Sequence, residues 1–157
     1  MYIIHRLWKG MVYNMNKDDC IFCKIAVGEI PSQTIYEDDD FRFFLDVSPA
    51  TDGHALIIPK NHYDNLLDLT DDMAAKTMKL AKKAALCMKT ALKCDGINLV
   101  QNNGKAAGQT VFHYHLHLIP RYEGGKTMVV WEPGTVEQNK LTTIRQQLSE
   151  QLEKELQ

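Results

Sequence analysis

The chain has 157 residues, 45% of them hydrophobic and 24% charged, the makeup of one ordinary globular domain with a core of its own. A formal charge of −2 excludes the broad basic footprint that a nucleic-acid polymer requires, but not a small phosphate ligand held by backbone amides. No run of about 18 apolar residues occurs, so no membrane-spanning segment is expected.

The first fourteen residues, "MYIIHRLWKGMVYN", are interrupted by His5, Arg6 and Lys9, which spoils them as a signal-peptide core. Residues 1–17 read as a flexible N-terminal extension, with Met15 as an alternative start, and residues 18–157 as one domain including a C-terminal helix. With no secretion signal, Cys20-x-x-Cys23 points to metal or redox chemistry in a cytoplasmic setting. The segment "CIFCKIAVGE" reads as a knuckle entering a short helix that stops near Gly28 and Pro31.

Two short strands follow, in "SQTIYEDDD" and "FRFFLDV", separated by the acidic turn Asp38–Asp40. "SPATDG" is a loop, and "HALIIP" a third strand with His54, Leu56 and Ile58 on one face and Pro59 at its end. A long helix starts at a Thr70 cap, with Asp71 and Asp72 favourably placed at the positive end of its dipole. Its buried stripe is Met73, Thr77, Leu80, Ala81, Ala84, Met88 and Leu92, its lysines form a solvated face, and Gly96 should cap it. Cys87 and Cys94 are expected to be buried as small hydrophobes.

"INLVQN" is a fourth strand and "NGKAAGQ" a loop. "TVFHYHLHLIP" is a fifth strand closed by Pro120, and an amphipathic helix begins at Asn139 with Leu141, Ile144, Leu148 and Leu152 on one side. This order predicts an α+β fold around an antiparallel sheet.

The fifth strand carries the chemistry. Three of the chain's six histidines, His113, His115 and His117, alternate there with Tyr114, Leu116 and Leu118. Alternation puts the imidazoles on one face and the apolar residues on the core side. The outer two Cα atoms would lie roughly 13 Å apart, so three-way ligation of one metal from a flat strand is disfavoured. A neutral imidazole oriented through its other nitrogen is a good nucleophile, and its neighbours can hold phosphate oxygens or move protons near neutral pH. The preceding "NNGKAAGQT" offers small residues, amides and a hydroxyl suited to phosphoryl oxygens.

"GQTVFHYHLHLI" resembles the alternating-histidine signature of the histidine triad (HIT) superfamily. "CIFCKIAVGEIPSQTIYEDDDFRFFLDVSPATDGHALIIPKNH" is similar to the N-terminal half of its Hint-like branch, and the likeness runs over about residues 18–133. The resemblance implies a five-stranded antiparallel sheet with two main helices, a homodimer with joined sheets, and an AMP-like small-molecule substrate. It implies a phosphoramidase-type nucleotide hydrolase or nucleotidyl transferase. His115 would form a nucleotidyl-histidine intermediate at the α-phosphate and His117 would assist proton transfer, with His113 and His54 beside them. Asn102, Gly108, Gln109 and Thr110 match the phosphate loop, Asp46 the acidic residue for the ribose hydroxyls, and Ile21, Phe22, Ile25, Phe44 and Val47 the wall around the base.

Cys20 and Cys23 are similar to those of a zinc-bearing subclass that completes four ligands with two histidines, here His62 and His113. That implies a structural zinc; no magnesium requirement is expected. A redox pair and an unmetallated pair are the other readings of the two cysteines. Rival functions are a dinucleoside polyphosphate hydrolase, a nucleotide-binding regulatory protein, and a zinc hydrolase using the triad as ligands.

Overall fold

The computed structural model describes residues 19–126 and 133–157, so the expected extension over residues 1–17 lies outside the described residues. The chain forms two units, one ending at Lys126 and the other starting at Thr127. The first contains α1 (Ile21–Ala26), β1 (Thr34–Glu37), β2 (Phe41–Leu45), β3 (Ala55–Pro59), α2 (Asp71–Leu92), β4 (Gly96–Val100) and β5 (Leu116–Arg121). The second contains α3 (Gln138–Glu155). Among the described residues no helix is long and apolar enough to cross a membrane.

The five strands form one antiparallel sheet, as expected, and the structure places them in the order β1-β2-β3-β5-β4. Period-two alternation divides its side chains between two cores. Phe41, Phe43, Ala55, Ile57, Leu116 and Leu118 pack with Met73, Ala81, Ala84 and Met88 of α2. On the opposite face, Phe44, Leu56 and Ile58 pack with Phe22, Ile25 and Ala26 of α1 and with Cys20. A helix on each face explains why every residue of β3 is buried and why its sequence is apolar without alternation.

α1 is only six residues long and cannot be stable alone. Phe22 and Ile25 anchor its apolar side, and Arg42 Nη1 of β2 donates to the Ile25 carbonyl near its C-terminus at 2.5 Å. α2 begins as expected, with Thr70 Oγ1 accepting from the Met73 amide at 3.2 Å.

Its end differs from expectation: Lys93 takes the left-handed position at φ 53°, and Gly96 instead opens β4 opposite Arg121. Cys94 is buried, whereas Cys87 is exposed because it precedes Met88 by one residue, about 100° around the helix from the buried stripe. β5 is also shorter than expected, beginning at Leu116 and running through Pro120 to Arg121. His113–His115 lie before the ladder: the Tyr114 amide donates to the Tyr63 carbonyl, and the His113 carbonyl is taken by a side chain. α3 starts one residue before Asn139, and none of its residues is buried.

Leu118 is fully buried at the sheet centre, paired with Ala55 on one side and Leu99 on the other. Leu118→Ala should lower unfolding free energy by about 2–5 kcal/mol in chemical denaturation, with the spectrum of the folded state retained.

Candidate active site

On the α1 side of the sheet lies a cavity of about 460 Å³, within the range of small-ligand sites. Ile21, Phe22, Ile25, Phe44 and Val47 form its apolar side. Asp46, Asn102, Gly108, Thr110, His115 and His117 converge on the rest. Ser48, Leu56 and Val111 also line it and escaped the sequence reading. Leu56 carried a signal, since it shares the His54 face of β3.

The protons in this site follow from its hydrogen bonds. The Ala50 amide donates to His54 Nδ1 at 3.0 Å, so neutral His54 carries its hydrogen on Nε2. That nitrogen lies 2.9 Å from His117 Nδ1, which therefore accepts and leaves the His117 hydrogen on Nε2. His115 has the opposite arrangement: its Nδ1–H donates to the His113 carbonyl at 2.7 Å, which leaves Nε2 with a free lone pair. The His115 and His117 rings are 5.0 Å apart. A bare nitrogen and a protonated one thus sit side by side.

Electrostatics keep these rings neutral. Burial pushes His115 and His54 below the ordinary imidazole value; the hydrogen bond to the His113 carbonyl and then the Asp46 carboxylate partly oppose this at His115, and Asp46 does so at His54. His117 is pushed down to about 4, chiefly by burial and then by the His115 and His54 rings. Asp46 turns Oδ1 to the Ser48 amide at 2.7 Å and Oδ2 towards His54 Nε2 at 3.7 Å. One carboxylate therefore shapes its own turn and faces the end of the histidine chain.

The loop before β5 is held from beneath. Gly104 and Gly108 both adopt the left-handed region, at φ 85° and 84°. Gln109 is buried and does not line the cavity. Its Oε1 accepts from the Gly104 amide, and its Nε2 donates to the carbonyls of Asp64 and Val111. Sequence reasoning matched Gln109 to ligand binding; the structure places it as the internal brace of the loop.

Behind the cavity, Cys20, Cys23, His62 and His113 bring their ligand atoms within 4.8 Å of one another. His113 Nδ1 is 3.5 Å from both sulfurs, and His62 Nδ1 is 3.2 Å from Cys23 Sγ. Tetrahedral zinc, with bonds near 2.3 Å to sulfur and 2.05 Å to nitrogen, requires S···N edges of about 3.6 Å. The remaining ring nitrogens are also committed, His113 Nε2 donating to the Pro59 carbonyl at 2.9 Å and His62 Nε2 to Asp64 Oδ1 at 3.0 Å. Outer partners of this kind aim metal-binding imidazoles. The four residues fit a metal ion of zinc's size and ligand preference. His113 thus belongs to this cluster, His115 and His117 line the cavity, and His54 is buried behind His117.

The His117 environment has a measurable consequence. The unfolded chain binds a proton near the ordinary value of about 6.5, and the folded chain only near 4. Its contribution to stability is therefore complete above pH 6.5 and is lost as pH falls towards 4. Melting temperature should drop across that interval, and His117→Gln should make the acid limb shallower when the two proteins are followed by circular dichroism.

A family model described as "HIT domain" matches residues 27–124. Adenosine 5'-monophosphoramidase HNT1 of Saccharomyces cerevisiae is 42% identical over 135 residues, covering 85% of this chain and 83% of that protein. The crystal structure of SMU.412c from Streptococcus mutans superposes with a TM-score of 0.80 at 40% identity, covering 94% of this chain and 92% of that one. A zinc-bound histidine triad family protein from Mycobacterium smegmatis does so with a TM-score of 0.68 at 40% identity, covering 75% and 86%. With His113, His115 and His117 in the alternation the sequence singled out, leading into the last strand of a five-stranded antiparallel sheet, this chain is a member of the HIT family.

Proposed function

We propose that this protein is a nucleotide hydrolase that cleaves the bond between the α-phosphate of an AMP-like nucleotide and an amine-type leaving group. The observation that carries this reading is the complementary pair of tautomers. His115 presents a lone pair on Nε2, and His117 beside it presents a hydrogen on Nε2. A nucleophile and an acid are therefore prepared before substrate arrives. The named activity of the yeast relative, an adenosine 5'-monophosphoramidase, supports the substrate class.

The apolar side of the cavity suits a purine, Asp46 suits the ribose hydroxyls, and Asn102, Gly108 and Thr110 suit phosphate oxygens. His115 Nε2 attacks phosphorus, forming a P–N bond as the P–X bond breaks. The leaving nitrogen takes the proton from His117 Nε2, and His117 Nδ1 is compensated by the hydrogen on His54 Nε2. The nucleotidyl-imidazolium at His115 is positive, which balances a relay now one proton short. Water then attacks the same phosphorus, its proton returns to His117, and the P–N bond to His115 breaks. Two moderate barriers replace one high one.

Zinc is the metal we assign to the Cys/His cluster; the zinc-bound mycobacterial relative supports the choice. Its role is structural. The cluster joins α1, which carries Cys23, to the segment just before β5, and of its four ligands only His113 is itself one of the three alternating histidines. Bound metal would supply folding energy rather than chemistry.

Kinetics, trapping of an intermediate and choice of substrate test the proposed reaction. His115→Ala should lower kcat on an adenosine phosphoramidate by roughly a thousandfold or more. Mass spectrometry of wild-type protein quenched in turnover should find the nucleotide on His115. Cleavage of a diadenosine polyphosphate but not of the phosphoramidate would show the substrate class to be wrong. Separately, removing the metal with a chelator should lower melting temperature by about 5 °C or more while turnover by the remaining folded protein persists.

A further inference from the structure

The β1 edge of the sheet and α2 enclose a second cavity, on the face opposite the one that carries the histidine cavity. Its volume is about 630 Å³, within the range of small-ligand sites. All of its walls belong to the first unit.

An irregularity in β1 builds one wall. Thr34 pairs with Phe44 and Tyr36 with Phe43, so Ile35 is an extra residue in the edge strand, a β-bulge. In a regular strand, neighbouring side chains point to opposite faces. Here Ile35 and Tyr36 both line the cavity. Phe41 and Phe43 of β2, in ordinary alternation, form its floor.

α2 supplies the other wall. Its packing is centred on β3, β4 and β5, and one flank overlooks the β1 end of the sheet. Lys76, Lys79, Leu80, Lys83, Ala84 and Cys87 fall within about 140° of its circumference, beside the buried stripe. Leu80 and Cys87, both expected in the core, are partly buried and exposed respectively, and both line this cavity.

Charge identifies the ligand. Asp38 is fully committed, Oδ1 accepting from the Asp40 and Phe41 amides and Oδ2 from the Tyr36 hydroxyl. Asp40 pairs with Lys76 at 2.9 Å, and Lys76 pairs with Asp72 at the same distance. Lys79 and Lys83 have no acidic partner among the described residues. The uncompensated charge at the rim is therefore positive, and the floor is aromatic and aliphatic. An anion with an apolar body matches both features; a cation or a sugar matches neither. The lysine stems add apolar contact while their ammonium groups reach the anion.

We propose that this cavity binds an amphiphilic monocarboxylate, an alkyl or aryl acid whose body lies on Phe41, Phe43 and Leu80 and whose carboxylate lies between Lys79 and Lys83. The site shares no lining residue with the histidine cavity and does not depend on the reaction proposed above.

The test titrates the full-length protein with dodecanoate, kept below its micelle-forming concentration, in a calorimeter. Saturable one-to-one binding is expected. Octanoate should bind more than tenfold more weakly, since each buried methylene is worth roughly a factor of four in affinity. Replacing both lysines, Lys79→Gln and Lys83→Gln, should weaken dodecanoate binding several-fold with helix content unchanged by circular dichroism. Bound dodecanoate should also slow alkylation of Cys87 by iodoacetamide, read by peptide mass spectrometry, without slowing that of Cys23. Equal binding of uncharged dodecanol, or undiminished binding by the double variant, overturns the proposal. So does the absence of saturable heat, or binding that leaves Cys87 alkylation unchanged.

Discussion

The hydrogen bond from His115 Nδ1–H to the His113 carbonyl is the contact on which the catalytic arrangement depends. It joins residues two positions apart, just ahead of β5, which starts at Leu116. The backbone there is held by the Tyr63 carbonyl, which accepts from the Tyr114 amide, and by the His113 ring, which donates to the Pro59 carbonyl. The result is a nucleophile with one defined tautomer.

His113 then joins two systems through different atoms. Its carbonyl orients His115, its Nδ1 faces Cys20 and Cys23, and its Nε2 donates to Pro59 at the end of β3. The residue is fully buried, and burial pushes its pKa down to about 4, so both roles are filled by the neutral ring. Around it, the 60s loop reaches both the metal-type cluster through His62 and the phosphate-type loop through the Asp64 carbonyl and Gln109. Side chains that never touch the cavity thereby set its geometry, at the usual energetic cost of satisfying every buried polar group.

The architecture separates stability from chemistry by sheet face. α2 covers one face with a largely apolar core, and α1 covers the other only partly, leaving the cavity beside Phe22 and Ile25. A six-residue helix is a poor structural unit, yet its shortness is what leaves room for a ligand of nucleotide size. The Arg42 contact to its last turn and the cysteine cluster at its first compensate for that brevity.

Much of this was legible in the amino-acid order. The antiparallel sheet, the α2 stripe of Met73, Thr77, Ala81, Ala84 and Met88, and the prominence of His113, His115 and His117 follow from periodicities of 2.0 and 3.6 residues, and the Thr70 cap from its hydroxyl, all local properties; Leu92, expected in the stripe, is exposed at the helix end. Relations between distant segments were not legible. Ala50, His54 and His117 are separated by up to 67 residues, and only folding brings them into the chain of hydrogen bonds that decides which nitrogen holds each proton. Gln109 looked like a ligand contact because composition reveals donors but not their direction, and its partners Asp64 and Gly104 appear only in space. Lys93, rather than Gly96, takes the left-handed position at the end of α2, and Gly96 pairs with Arg121 in β4, a relation between distant segments. Sequence determined which residues could perform the chemistry; tertiary structure decided which atom of each one faces the substrate, because hydrogen-bond direction is a property of three-dimensional neighbours.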